Sequence, residues 1–157
     1  LIGSLIPKNK TLINLINIKE ELSFIEMKPV KKWFVKIAKK YLNTPYLWGG
    51  RSPLGIDCSG YTQMVYRLFK YNLPRDSFQQ EKEGLKVKQF SQVKLGDLAF
   101  FGNKKKINHV GIILNKNKII HASGKVRIDN LDSKGIYNTD TKSYTHRLQS
   151  IKRILVI

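Results

Sequence analysis

A chain of 157 residues, 41% hydrophobic and 25% charged, is long enough for one domain with a packed core and too apolar to stay disordered. Its 29 Lys and Arg against 11 Asp and Glu give a net charge of +18, which draws it toward polyanions such as wall polymers, anionic membranes and nucleic acid. The single cysteine excludes an internal disulfide, and the lysines are too scattered to form a nucleic-acid motif, so specific nucleic-acid binding is not expected.

Residues 1–28 read as an N-terminal extension. Leu1-Ile2 is interrupted too soon for a signal-peptide core or a membrane span, and Thr11–Ile18 has strand-like content with imperfect alternation. Pro29 then opens an amphipathic helix with Val30, Trp33, Phe34, Ile37, Ala38 and Tyr41 on one stripe, stopped by Asn43-Thr44-Pro45. A glycine-rich loop, Gly49-Gly50 to Gly55, leads to Asp57-Cys58-Ser59-Gly60. From there Tyr61, Val65, Leu68 and Phe69 mark the buried face of a second helix.

Asp57 and Ser59 are residue types that cap helix starts, so Cys58 is expected in a first turn. There the unpaired N–H groups and the macrodipole favour a thiolate. The plain alternative is a small buried hydrophobe. Asn72-Leu73-Pro74-Arg75 breaks the chain, and Ser77 to Gly84 suits a short further helix.

Beyond Val93 the pattern turns to strands. Leu98–Phe101 reads as a buried strand closed by Gly102, and Val110–Leu114 and Lys118–Ala122 as a hairpin around Asn115-Lys116-Asn117. Residues 125–131 and 152–157 supply two more strands. Helices followed by an antiparallel sheet define an α+β domain.

Tyr46-x-Trp48-Gly49-Gly50 followed by Asp57-Cys58-Ser59-Gly60 resembles the active-site entry of the NlpC/P60 family of cysteine peptidases. The resemblance continues through Leu73–Ser77, Leu95–Phe101, Asn108–Ile112 and Ile120–Ser123, and covers about residues 31–157. The dipeptidyl-peptidase VI branch is the most similar, also at Val126–Asp132 and Arg153–Leu155. That branch cleaves γ-D-glutamyl–diamino acid bonds in cell-wall peptides.

The resemblance implies a papain-like fold over residues 29–157. It makes Cys58 the nucleophile, His109 the base and acid, and His121 the orienting third member. Tyr46 is implied at the oxyanion, and Trp48, Asp57, Ser59, Asp76 and Ser77 in the substrate cleft. Asp76 as a helix cap and Trp48 as core are the plain alternatives, and His146 reads as surface in a polar loop. No cofactor is implied. Peptidoglycan stem peptides or muropeptides are the expected substrates, and anionic wall polymers the expected electrostatic attraction. One reading of residues 1–28 is the remnant of a Src-homology-3-like module. The expected location is the cell envelope or outside the cell, with cytoplasmic peptide recycling as the alternative. A zinc site of Cys58, His109 and His121, a wall amidase or acyltransferase, and a basic wall-binding module are the competing functional readings.

Strand parity sets a geometric condition. A regular two-residue turn at Lys116-Asn117 pairs Ile112 with His121 and sends the two histidines to opposite faces. A shared face toward Cys58, with the rings within about 3 Å, therefore requires an odd loop or a bulge between them.

Overall fold

The computed structural model describes residues 31–103 and 106–155. The expectations for residues 1–30, Pro29 and the domain boundary included, lie outside these residues. Helix α1 spans Lys31–Lys39 and buries Phe34, Ile37 and Ala38, with Tyr41 fully buried just beyond it. Trp33 departs from the expected stripe. It is 41% exposed, with the Lys36 ammonium 4.8 Å from its ring, because a nine-residue helix turns only one narrow face to the core.

After α1 the chain forms a two-stranded ribbon, β1 (Arg51–Ser52) and β2 (Gly55–Ile56), and enters helix α2, Cys58–Arg67. Asp57 is its N-cap and accepts the Gly60 N–H at 2.7 Å. Tyr61, Val65 and Phe69 are buried in the core, as the spacing predicts, with Met64 beside them, while Leu68 is only half-buried. A four-residue helix α3, Ser77–Gln80, is fastened to α2 by Gln80. Its amide donates to the carbonyls of Ser59 at 3.1 Å and Pro74 at 2.9 Å.

The short β3 (Leu85–Lys86) precedes β4 (Leu98–Asn103), β5 (Lys106–Asn115), β6 (Lys118–Ser123), β7 (Lys125–Leu131), β8 (Gly135–Asn138) and β9 (Ser143–Arg153). The sheet order is β3-β9-β4-β5-β6-β7-β8, every pairing is antiparallel, and an added β8–β9 pairing closes β4 to β9 on themselves as a barrel. Alternation sorts the strand residues into two cores. Phe100, Val110, Ile112, Ile120 and Val126 face outward onto α1 and α2. Ala99, Phe101, Ile113, Ile119, Ile136 and Ile151 fill the interior. The fold is α+β, as the sequence predicts.

The β5–β6 hairpin turns on the two residues Lys116-Asn117, since Asn115 pairs with Lys118. The pairing then skips Leu114, so Ile113 meets Ile119 and Gly111 meets His121. The bulge shifts parity by one residue and puts His109 and His121 on the same side. That side differs from the one expected: both point into the barrel, whereas α2 packs on its outside.

Gly60 shows how tightly the helix entry is built. A Cβ there would lie 2.3 Å from the Gly50 carbonyl oxygen, so no side chain fits without moving the loop. Gly60→Ala is expected to cost about 1–3 kcal/mol in chemical denaturation, the range for overpacking. A cost below about 0.5 kcal/mol would contradict this packing.

Candidate active site

Four side chains converge at one mouth of the barrel. His109 Nε2 lies 2.8 Å from His121 Nδ1, and His121 Nε2 lies 3.1 Å from Asp129 Oδ2. Arg127 anchors the far end: its Nη2 donates to Asp129 Oδ1 at 2.9 Å, and its Nε stands 2.8 Å from Oδ2. Arg127 in turn pairs with Asp140 at 2.9 Å.

The strand register brings this about, since His121 pairs with Arg127 across β6–β7 and Asp129 follows two residues on, on the same face. Asp129 is fully buried. Burial alone would raise its carboxyl, but hydrogen bonds from His121 and Arg127 hold it down at about 2, so it is an acceptor only.

Those charges fix the tautomers. His121 gives its Nε2 proton to Asp129, and burial keeps the ring below its ordinary pKa despite that carboxylate, so Nδ1 is an acceptor. His109 must then donate from Nε2. Burial, with His121 and His146 beside it, holds His109 well below the ordinary range, which leaves Nδ1 as its one basic nitrogen. With these two nitrogens 2.8 Å apart, no ion fits between them, which removes the zinc arrangement considered from the sequence.

Cys58 occupies the first turn of α2, 7% exposed. The backbone N–H groups of Val110 and Ser59 point at its sulfur, and Val110 is the residue after His109. Among the described residues no hydrogen bond joins the thiol to the His109 ring. The thiolate expected from the helix start is not the resting form. Burial pushes the thiol up, the Asp57 charge adds to this, and the N–H groups offset only part of it. Tyr46 stands between the two halves. Burial and then the Cys58 charge raise its hydroxyl pKa, and its side chain walls a cleft of about 640 Å³ that reaches His109, Asn108, Ser123 and His146.

The remaining expected cleft residues fall elsewhere. Asp57 is saturated by the N–H groups of Gly60 and Gly49, the latter at 2.8 Å, and by its ion pair with Arg75. Burial would raise its carboxyl, yet the Arg75 hydrogen bond leads a set of contacts that lowers it. Ser59 accepts from Arg75 at 2.9 Å. Asp76 is exposed and sits at the N-cap of α3, where its N–H donates to Gln79 Oε1 at 3.0 Å, with Ser77 buried beside it. Trp48 is 85% exposed, so it is not core and does not wall the cleft around Tyr46.

His146 overturns its surface reading. It lies in β9, half-buried and stacked on His109 with ring centroids 4.1 Å apart at 28°. Asp129 and His146 are the site residues that residue-type reasoning passed over. The alternation Arg127-x-Asp129 after the turn at Gly124 was the available signal for the first, whereas nothing in the polar run around His146 marks a strand.

Comparisons with known proteins place the chain in a family. Residues 43–145 match the family described as "NlpC/P60 family". "Probable endopeptidase p60" of Listeria monocytogenes is 39% identical over 99 residues, 62% of this chain and 20% of that protein. "Gamma-D-glutamyl-L-lysine dipeptidyl-peptidase" of Bacillus subtilis is 40% identical over 85 residues, 52% of this chain and 28% of that protein. A solved NlpC/P60 family protein from Bacillus cereus superposes with a TM-score of 0.71 at 28% identity, covering 83% of this chain and 42% of that one. The chain belongs to the NlpC/P60 family. It spans less than a third of the length of these curated relatives.

The three depressed imidazoles make the fold acid-sensitive. Each binds its proton more readily when unfolded, so their stabilisation is complete above the ordinary value of 6.5 and declines as pH falls below it. The His146 share is lost through about 4. Asp129 acts later, retaining its contribution until pH drops from 3.8 toward about 2. The melting temperature is therefore expected to be flat just above pH 7 and to fall from about 6.5 to 4, less steeply in His146→Phe. A melting temperature constant across that window would contradict the buried neutral histidines.

Proposed function

We propose that this chain is a thiol hydrolase of peptidoglycan-derived peptides that cleaves the γ-D-glutamyl–diamino acid bond, with Cys58 as nucleophile, His109 as base and acid, and His121 as the orienting member. The observation that carries the reading is the chain Asp129–His121–His109, at 3.1 and 2.8 Å, ending one residue from the backbone N–H that meets the Cys58 sulfur. The name of the Bacillus subtilis relative supports the choice of bond.

In this mechanism substrate entry seals the mouth and brings the thiol against His109 Nδ1, a contact that tightens only in the complex. The thiol proton passes to Nδ1 as sulfur attacks the γ-carbonyl carbon. The resulting oxyanion is received by the Tyr46 hydroxyl and the Cys58 N–H. His109 then returns its proton to the leaving amine, the C–N bond breaks, and a γ-glutamyl thioester remains. A water molecule, deprotonated by His109, attacks the thioester and releases acid and free thiol. While His109 is an imidazolium, its Nε2–H still faces His121 Nδ1, and the Asp129 charge beyond it supports the cation.

Asp76, exposed next to the Arg75 that pairs with Asp57 and Ser59, suits capture of the peptide's free amine, and Ser77 and Trp48 are assigned to substrate binding with it. The net charge of +18 suits attraction to anionic wall polymers and fits a cell-envelope or extracellular site of action. Among the described residues no helix is long and apolar enough to cross a membrane.

Cys58→Ala and Cys58→Ser are expected to abolish cleavage of L-alanyl-γ-D-glutamyl-diamino acid peptides without loss of fold, as read by mass spectrometry of the fragments. Turnover with Ala at 58 would sink the assignment. Asp129→Asn removes the full negative charge behind His121 and is expected to lower kcat by about 10²-fold or more while changing KM little. Acetylating the peptide's amine should raise KM in the wild type and matter less in Asp76→Asn. Equal rates on free and acetylated peptides would remove that role from Asp76.

A further inference from the structure

The His121 hydrogen bond orients one edge of the His109 ring, and the faces of the ring are set by what packs against them. Nε2 lies nearer than Nδ1 to the axis of the Cβ–Cγ bond, about which the ring turns. The sp³–sp² torsion is intrinsically soft, so a single hydrogen bond at that atom still leaves room for small tilts of the ring. Nδ1, the nitrogen that must meet the thiol, swings widest.

A flat surface against the ring supplies the missing restraint. His146 provides one, with centroids 4.1 Å apart and planes at 28°. Three features hold His146 there. The β8–β9 register shifts between Ile136 and Tyr137, so that Ile136, an interior residue, pairs with His146 and turns its ring inward. The Thr145 hydroxyl lies 2.8 Å from its Nδ1. Phe101 meets its edge at 6.1 Å and also packs against His109 at 5.8 Å. Burial holds the His146 pKa down at about 4, so at neutral pH the ring beside His109 carries no charge. A neutral aromatic face is compatible with an imidazolium stacked on it.

We propose that His146 is a positioning residue for His109, an aromatic face that fixes the plane of the base and shields one side of it from water. The proposal rests on the reading of His109 as the base of Cys58. Because the ring needs only to be flat and uncharged, a phenyl group should replace it and an aliphatic side chain of similar bulk should not.

The test is the pH profile of kcat for cleavage of an L-alanyl-γ-D-glutamyl-diamino acid peptide, with KM followed separately, because the thiol meets His109 only in the substrate complex. Wild type, His146→Phe, His146→Leu, His146→Ala and His109→Ala are compared, each checked for fold by circular dichroism. His109→Ala is expected to lose turnover near neutral pH. His146→Ala and His146→Leu should lose about tenfold of the rate there, the scale of a misoriented catalytic group, while His146→Phe recovers at least about half of it. If the Ala variant does not fold, the Phe and Leu pair carries the comparison alone. His146→Leu reacting at the wild-type rate, or His146→Phe falling as far as Leu, would overturn the positioning role. His109→Ala reacting like wild type would instead overturn the base assignment beneath it.

Discussion

The bulge at Leu114 is the constraint on which the rest of the site depends. The side-chain period of a strand is two, so one unpaired residue on β5 reverses the face of every residue before it relative to β6. Without that skip Ile112 would stand opposite His121, and His109 would point toward the helices. With it, His109 and His121 share the barrel interior and meet at 2.8 Å. The half-buried Leu114 side chain packs against the helix-side core, which gives the bulge an apolar anchor. A backbone irregularity beside a site, fixed by packing, thus selects the chemistry available there.

Two effects compete at Cys58, and burial wins over the helix start. The first turn of α2 aims N–H groups at the sulfur, which favours a thiolate, but a 7% exposed thiol beside the Asp57 carboxylate is costly to ionise. The neighbouring imidazole is also held neutral by burial. In the proposed reaction this pairs a neutral thiol with a neutral base at rest, and the ion pair arises only when substrate brings the two together. The Arg75–Asp57 contact restrains the same entrance from the other side, tying the loop before α3 to the cap of α2.

Much of this was legible in the chain because local rules and tertiary structure agree. Asp57 caps and Cys58 begins the helix because Asp is a strong N-cap and the apolar spacing starts at once. The need for a bulge followed from parity alone, although Leu114 itself was not singled out. What stayed hidden depends on closure of the barrel. His146 has polar neighbours and no apolar alternation, and only the β8–β9 pairing turns it inward. Trp33 was placed on the buried stripe by residue type, yet it is exposed, because burial of a large ring depends on what packs above it. Asp129 lay in a stretch whose resemblance was noticed, and its role appeared once β7 was set beside β6.

In the proposed reaction the Cys58 sulfur, served by His109, forms an acyl bond to the γ-glutamyl group. The most direct test of that step is rapid acid quench of the protein with excess L-alanyl-γ-D-glutamyl-diamino acid peptide, followed by intact-mass and peptide-level mass spectrometry. The expected result is an L-alanyl-γ-D-glutamyl adduct on the peptide containing Cys58, appearing together with free diamino acid and absent in His109→Ala. Release of diamino acid with no adduct on Cys58 at any quench time, or an adduct formed equally well without His109, would contradict it.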